Sequence, residues 1–270
     1  VLWLKKLTIL FTIYSYLQLT KIKRSGGQAM ILKIINPNMS ASMTQSIQKC
    51  AAQYIASDTK LICESASFGV ESIECHVDAC LAAPAVLQAI KTGDTQQNVD
   101  AYVIACFDDP ALAAARELTC KPVIGIAEAA IAAARFISPS FSIVTILNRS
   151  KLMNAELLER NCAQKFCKSI RATNLGVLEF ESNPAEGLQA LAYQAKEAVE
   201  KDGAEAIILG CAGFVDFAAD LRKVLGVPVI DGVIPAIKFA EALVSMGWST
   251  CKTNSWNYPE IKKYFGYQNI

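Results

Sequence analysis

Asp100-Ala101-Tyr102-Val103-Ile104-Ala105-Cys106 and its later echo, Ala204-Glu205-Ala206-Ile207-Ile208-Leu209-Gly210-Cys211, decide the fold. Each is a run of apolar, largely β-branched residues that stops at a cysteine, and the two cysteines stand 105 positions apart. The echo continues around them. Pro122-Val123-Ile124 with Ala130-Ile131 returns as Pro228-Val229-Ile230 with Ala236-Ile237, both parts shifted by 106. Asn38-Met39-Ser40 returns as Asn148-Arg149-Ser150, shifted by 110. Three matches in one order at nearly constant offset predict two similar lobes.

Outward from these segments the pattern is strand, turn, helix, repeated. Short β-rich runs at 32–35, 101–105, 123–126, 142–147, 206–209 and 227–230 alternate with Ala/Leu/Glu/Lys segments at 110–119, 127–136, 153–170 and 184–201. This alternation predicts an α/β protein with parallel sheets covered by helices on both faces. The expected organisation is an extension at 1–29, one lobe at 30–124, a second at 125–225, and a return to the first lobe with a C-terminal tail at 226–270. Six aromatic residues, Trp248, Trp256, Tyr258, Tyr264, Phe265 and Tyr267, predict that the tail packs on a lobe or a neighbouring subunit.

Composition narrows the function. Apolar types make up 53% of the 270 residues, which rules out a disordered chain. Lys+Arg 26 against Asp+Glu 25 leaves no basic excess to hold a nucleic acid backbone. A single histidine, His76, makes a Ser-His-Asp triad or an imidazole metal site a poor expectation. Ten cysteines include no C-x-x-C pair, so neither a zinc ribbon nor a thioredoxin motif is supported. A chain this large and apolar needs no disulfide staples, which points to a reducing cytoplasm.

Residues 1–29 differ from the rest. Lys5-Lys6 precede an apolar run at 7–19, and Lys21, Lys23 and Arg24 follow it. The run is short of the roughly 20 residues that span a bilayer, so no membrane partner is expected. A signal peptide is one reading. The reading adopted here takes Met30 as the functional start, because the strand pattern Ile31-Leu32-Lys33-Ile34-Ile35 begins immediately after it.

Ligands of open parallel sheets sit beyond the carboxyl ends of the strands, where Cys106 and Cys211 both fall. A pseudo-twofold arrangement would bring the two thiols to one substrate from opposite sides. Inverting a carbon that bears an acidic C–H requires two such groups, one to remove the proton and one to deliver a proton to the other face. A thiol, with a reference pKa near ~8.5, can serve either role near neutrality. Helix N-termini after both cysteines are expected to lower the thiol pKa. The backbone N–H groups of Phe107 and Ala212 are candidate donors to a developing enolate oxygen. Asn38 is a candidate polar contact after the first strand, although Asn36-Pro37-Asn38-Met39-Ser40 also reads as a turn and helix cap. Glu128 either faces the cleft or favours a helix N-terminus. The other eight cysteines read as core fillers, and His76 reads as structural.

At these residues the chain resembles the aspartate/glutamate racemase superfamily and, within it, the hydantoin racemases. The matching segments are Ile35-Asn36-Pro37-Asn38, Ser72-Ile73-Glu74 with His76, Tyr102 to Pro110 through Cys-Phe-Asp-Asp-Pro, Pro122 to Ala130, Ile208-Leu209-Gly210-Cys211-Ala212-Gly213 and Pro228-Val229-Ile230-Asp231-Gly232. The resemblance implies two Rossmann-like lobes, no cofactor and no metal. It also implies two cysteines, here Cys106 and Cys211, working as acid and base on C5 of a cyclic ureide, in a chain expected to form a homo-oligomer. Substrate contacts would fall on Asn38 and Ser40 and on backbone beside the cysteines at Phe107, Gly210, Ala212 and Gly213. Met39 stands where the family commonly has a hydroxyl residue, and Cys75 where it has glycine. Allantoin racemase shares every residue of this reading. A non-enzymatic two-lobed binding protein is the alternative from another class.

Overall fold

The computed structural model describes residues 29–263. In the first lobe, β1 (Met30–Asn36), β2 (Thr59–Ser65), β3 (Ala101–Ile104) and β4 (Val123–Gly125) form a parallel sheet in the order β2-β1-β3-β4. In the second, β5 (Phe141–Thr145), β6 (Cys167–Ala172), β7 (Ile207–Leu209) and β8 (Val229–Ile230) repeat it as β6-β5-β7-β8. The central strands β1, β3, β5 and β7 are buried on both faces, as parallel strands between helical layers must be.

The helices of the first lobe are α1 (Ala41–Tyr54), α2 (His76–Thr92) and α3 (Leu112–Leu118). After β4 comes α4 (Ile126–Ile137), and the second lobe adds α5 (Ser150–Arg160), α6 (Val177–Ser182), α7 (Pro184–Glu200) and α8 (Ala218–Leu225). The last helix is α9 (Val233–Ser245). Two helices tie the lobes together by exchange. α4 leaves β4 to pack against α5, β7 and β8, while α9 leaves β8 to pack against α1, β1, β3 and β4. The exchanged helices also pack on each other, with Phe136 and Phe239 edge to face at 6.3 Å.

One buried charge stands out in the first sheet. Lys33, in β1, is fully buried, and its Nζ lies 2.6 Å from Glu64 Oε1 while donating to the Ala89 carbonyl and to Gln97 Oε1 at 2.9 Å each. A buried polar group is accommodated where hydrogen-bond partners of this kind surround it.

The structure departs from the expected helix at 153–170. Helix α5 ends at Arg160, Cys162 takes a left-handed φ of 50°, and a 3-10 turn over Gln164–Phe166 leads into β6. Cys162 therefore lies in the turn, and Cys167 opens a strand. β2 carries no apolar run in the sequence reading and forms the matching edge of the other sheet. Both are edge strands of mixed polarity, so neither shows the continuous apolar signal of the central strands.

The aromatic tail packs on the first lobe as far as it is described. Lys252 Nζ donates to the carbonyls of Arg116 and Glu117 at 2.5 and 3.0 Å, and the Arg116 guanidinium lies 5.2 Å from the Trp256 ring centre. The expectations for the extension at 1–29, apart from Ala29, and for Tyr264, Phe265 and Tyr267 fall outside the described residues.

Candidate active site

Strand β3 delivers Cys106 and β7 delivers Cys211, each just past the carboxyl end of the third strand of its lobe. The approach of β7 to β5 is close enough to favour glycine at 210. A Cβ there would meet the Val144 carbonyl oxygen at 3.0 Å, and the Gly210 N–H donates to that same oxygen at 2.8 Å. The short 3-10 turn over Ala212–Phe217 then packs on α1 of the other lobe.

Both cysteines line one cavity of about 40 Å³ between the lobes. From the residues expected at the site, its wall includes Asn38, Cys106, Phe107, Gly210, Cys211 and Ala212. Glu74, Asp108, Thr145, Ser150 and Asn154, which the sequence does not mark as site residues, also face it, as do the paired methionines Met43 and Met153. The 110-residue offset that relates Asn38-Met39-Ser40 to Asn148-Arg149-Ser150 also relates Met43 to Met153 and Thr44 to Asn154. Extending the echo along the following helix was the signal available.

Three expected site residues stand elsewhere. Ser40 caps α1, its Oγ accepting from Met43 N–H at 3.1 Å and donating to Glu181 Oε1 at 2.6 Å, a tie from the first lobe to α6. Glu128 takes the helix-terminus alternative: its carboxylate accepts from Gly125 N–H and pairs with Arg116 at the start of α4. Gly213 is outside the cavity wall but turns its N–H to the Cys211 thiol. The Asn36-Pro37-Asn38 turn is held from inside, with Asn36 Nδ2 donating to Asn38 Oδ1 at 2.8 Å and to Thr44 Oγ1 at 3.0 Å. Asn38 Oδ1 also accepts from Ser40 N–H at 3.0 Å, and its Nδ2 faces Met43 Sδ at 3.5 Å.

The electrostatics run opposite to the expected lowering of thiol pKa. Burial pushes the Cys211 thiol up to about 11, Glu74 and Glu181 add to the rise, and the Gly213 N–H recovers only part. Burial likewise drives Cys106 well above its ordinary value, reinforced by Asp108, Cys211 and Asp109 and opposed by the Asp108 N–H. No helix starts directly at Cys106: α3 begins only at Leu112, after a turn in which Asp109 and Ala111 both have positive φ. Asp108 is pushed up by burial to about 6, with Arg160 and His76 pulling it down. Asp109 is pushed up to about 7, first by burial and then by Glu128, while it accepts the Ala127 and Glu128 N–H groups at 3.0 and 2.9 Å. Among the described residues, no three or more His, Cys, Asp or Glu side chains gather as a metal-ligand group.

A model of the family described as Asp/Glu/Hydantoin racemase matches residues 32–240. The chain belongs to this family. A hydantoin racemase of Pseudomonas sp. (strain NS671) is 47% identical over 237 residues, 88% of this chain and 95% of the relative. The hydantoin racemase of Paenarthrobacter aurescens is 43% identical over 87% of this chain and all of its own length. Among solved structures, the allantoin racemase from Klebsiella pneumoniae superposes with a TM-score of 0.87 at 40% identity, covering 89% of this chain and 98% of that one. The likeness thus extends over both the sequence and the two-sheet architecture.

Proposed function

We propose that this chain is a racemase that inverts C5 of 5-substituted hydantoins, with Cys106 and Cys211 exchanging the roles of base and acid. The observation that carries the proposal is that two thiols, one from each lobe, line a single cavity. C5 lies next to a ring carbonyl, so its proton is acidic without a carbonyl-activating cofactor. Removal leaves an enolate, whose oxygen needs donors; the N–H groups of Phe107 and Ala212 and the Asn38 amide are the groups we assign to it. Burial makes each thiolate rarer but more basic, which narrows the gap to a weak carbon acid. Return of the proton to the opposite face by the second thiol completes inversion, and the reverse reaction swaps the sulfurs.

The relatives named hydantoin racemase support the choice of ring, and the structural likeness to an allantoin racemase supports allantoin as the second reading. Polarimetry of purified protein with single enantiomers of 5-benzylhydantoin, 5-methylhydantoin and allantoin separates the two. Loss of rotation with a 5-alkyl or 5-aryl hydantoin well ahead of allantoin is the expected result. Allantoin turned over fastest would reverse the assignment, and tight binding without turnover of any ring would replace the enzyme by a binding protein.

The proposal includes a reducing cytoplasm, in keeping with ten free cysteines, and a homo-oligomer. Phe136 and Ile137 are 77% and 60% exposed beside an open cavity of about 570 Å³, apolar surface suited to a second copy. Light scattering on the eluted protein tests the latter. The described residues contain no helix long and apolar enough to cross a membrane.

A further inference from the structure

Asn154 presents the one buried side-chain nitrogen or oxygen without a hydrogen-bond partner among the described residues, its Oδ1. The residue is 3% exposed and belongs to the wall of the cavity that holds both thiols. Its amide orientation is fixed chemically: Nδ2 donates at 2.7 Å to the Ser150 carbonyl, which can only accept. Oδ1 is therefore left as an acceptor with nothing to accept. Leaving such an atom buried is costly, so it calls for a partner, and its place in the cavity wall lets a ligand supply one.

The internal echo shows that the unpaired acceptor is specific to one lobe. Thr44, 110 positions earlier, makes the same bond one turn back, Oγ1 to the Ser40 carbonyl at 3.0 Å. Thr44 Oγ1 also accepts from Asn36 Nδ2 and contacts Ser65 Oγ at 2.6 Å, so it is satisfied by the protein alone. The second lobe keeps the structural bond and adds an acceptor that the first lobe lacks.

We infer that Asn154 Oδ1 accepts a hydrogen bond from a ring N–H of the substrate, making Asn154 a positioning and specificity residue for ureide rings. The inference rests on the function proposed above. It gives the site a complementary pair, with the Asn38 amide presenting a donor to a ring carbonyl and Asn154 an acceptor to a ring N–H. A substrate with the N–H replaced by N–CH₃ would leave Oδ1 unpaired, and a site built to bond an N–H discriminates strongly against its absence.

The test compares kcat/KM for a 5-substituted hydantoin with that for its N1-methyl and N3-methyl derivatives, in the parent protein and in Asn154→Leu. Steric rejection of the methyl group persists in the variant, so the change in ratio isolates the acceptor. The preference for the parent ring over one of the two derivatives should fall about tenfold or more in Asn154→Leu. An unchanged ratio at both ring nitrogens overturns the inference. Where Asn154→Leu is unfolded by circular dichroism or fully inactive, Asn154→Asp decides: it keeps an acceptor oxygen. It should retain the N–H preference while kcat drops from negative charge beside the enolate; loss of that preference overturns the inference. Absence of racemisation by the parent protein on every ureide would instead refute the proposed function, so the two failures are distinguishable.

Discussion

Replacing Cys211 by serine tests the two-thiol mechanism most directly. At pH 8 a thiol titrating at about 11 is ionised in about one molecule in a thousand, a cost of about 4 kcal/mol at 1.36 kcal/mol per unit. A hydroxyl in the same place is a far weaker acid than the thiol. Ionising it costs several kcal/mol more than ionising the thiol. The stronger basicity of the rarer alkoxide returns part of this, leaving a loss of about 10²–10⁴-fold, the range for a positioned acid–base group. The assay follows each hydantoin enantiomer separately in D₂O, by polarimetry for inversion and by proton NMR for loss of the C5–H signal. Cys106→Ser and Cys211→Ser should each lose racemisation by that factor. Each should still exchange C5–H of one enantiomer, and the surviving enantiomer should differ between them, because each variant keeps the base on a different face. Racemisation within tenfold of the parent in either variant would refute the reasoning, and so would exchange of the same enantiomer by both.

Three further outcomes follow from the geometry. The thiol of Cys211 titrates near 11, so its thiolate absorbance, read as parent minus Cys211→Ser, should rise about tenfold per pH unit from 7 to 10 without a plateau; a midpoint below 9 would contradict burial as the dominant influence. A Cβ at Gly125 would overlap the Asp109 carboxyl, which is held by the first N–H groups of α4, so Gly125→Ala should cost about 3 kcal/mol in urea melts and lower turnover by shifting the turn that carries Cys106. Ser40 caps α1 and binds Glu181 outside the cavity wall, so Ser40→Ala should cost about 1–2 kcal/mol in the same melts while KM stays within about twofold; a large rise in KM with unchanged stability would make it a substrate contact instead.

The sequence by itself determined the architecture and the two cysteines. Buried parallel strands write themselves as continuous apolar runs, and a duplicated lobe writes itself as an offset near 106, so Cys106 and Cys211 stand out at equivalent strand ends without coordinates. The edge strands escaped for the converse reason. Thr59–Ser65 and Cys167–Ala172 are half-exposed, mix polar with apolar side chains, and become strands only by pairing with β1 and β5.

Only the tertiary structure decided which polar groups face the cavity between the lobes and how the thiols titrate. Ser40 and Glu128 carry side chains as suited to a ligand as Asn38, yet a helix cap and an arginine claim them through contacts that spacing does not encode. Glu74 and Asn154 reach the cavity from different lobes, which the exchange of α4 and α9, the packing of the 212–217 turn on α1 and the Ser40–Glu181 bond hold together. A lone local signal, a helix start after each cysteine, argued for lowered thiol pKa; burial from both lobes outweighs it, because desolvation sums over everything packed around the sulfur while the nearby N–H groups act one at a time.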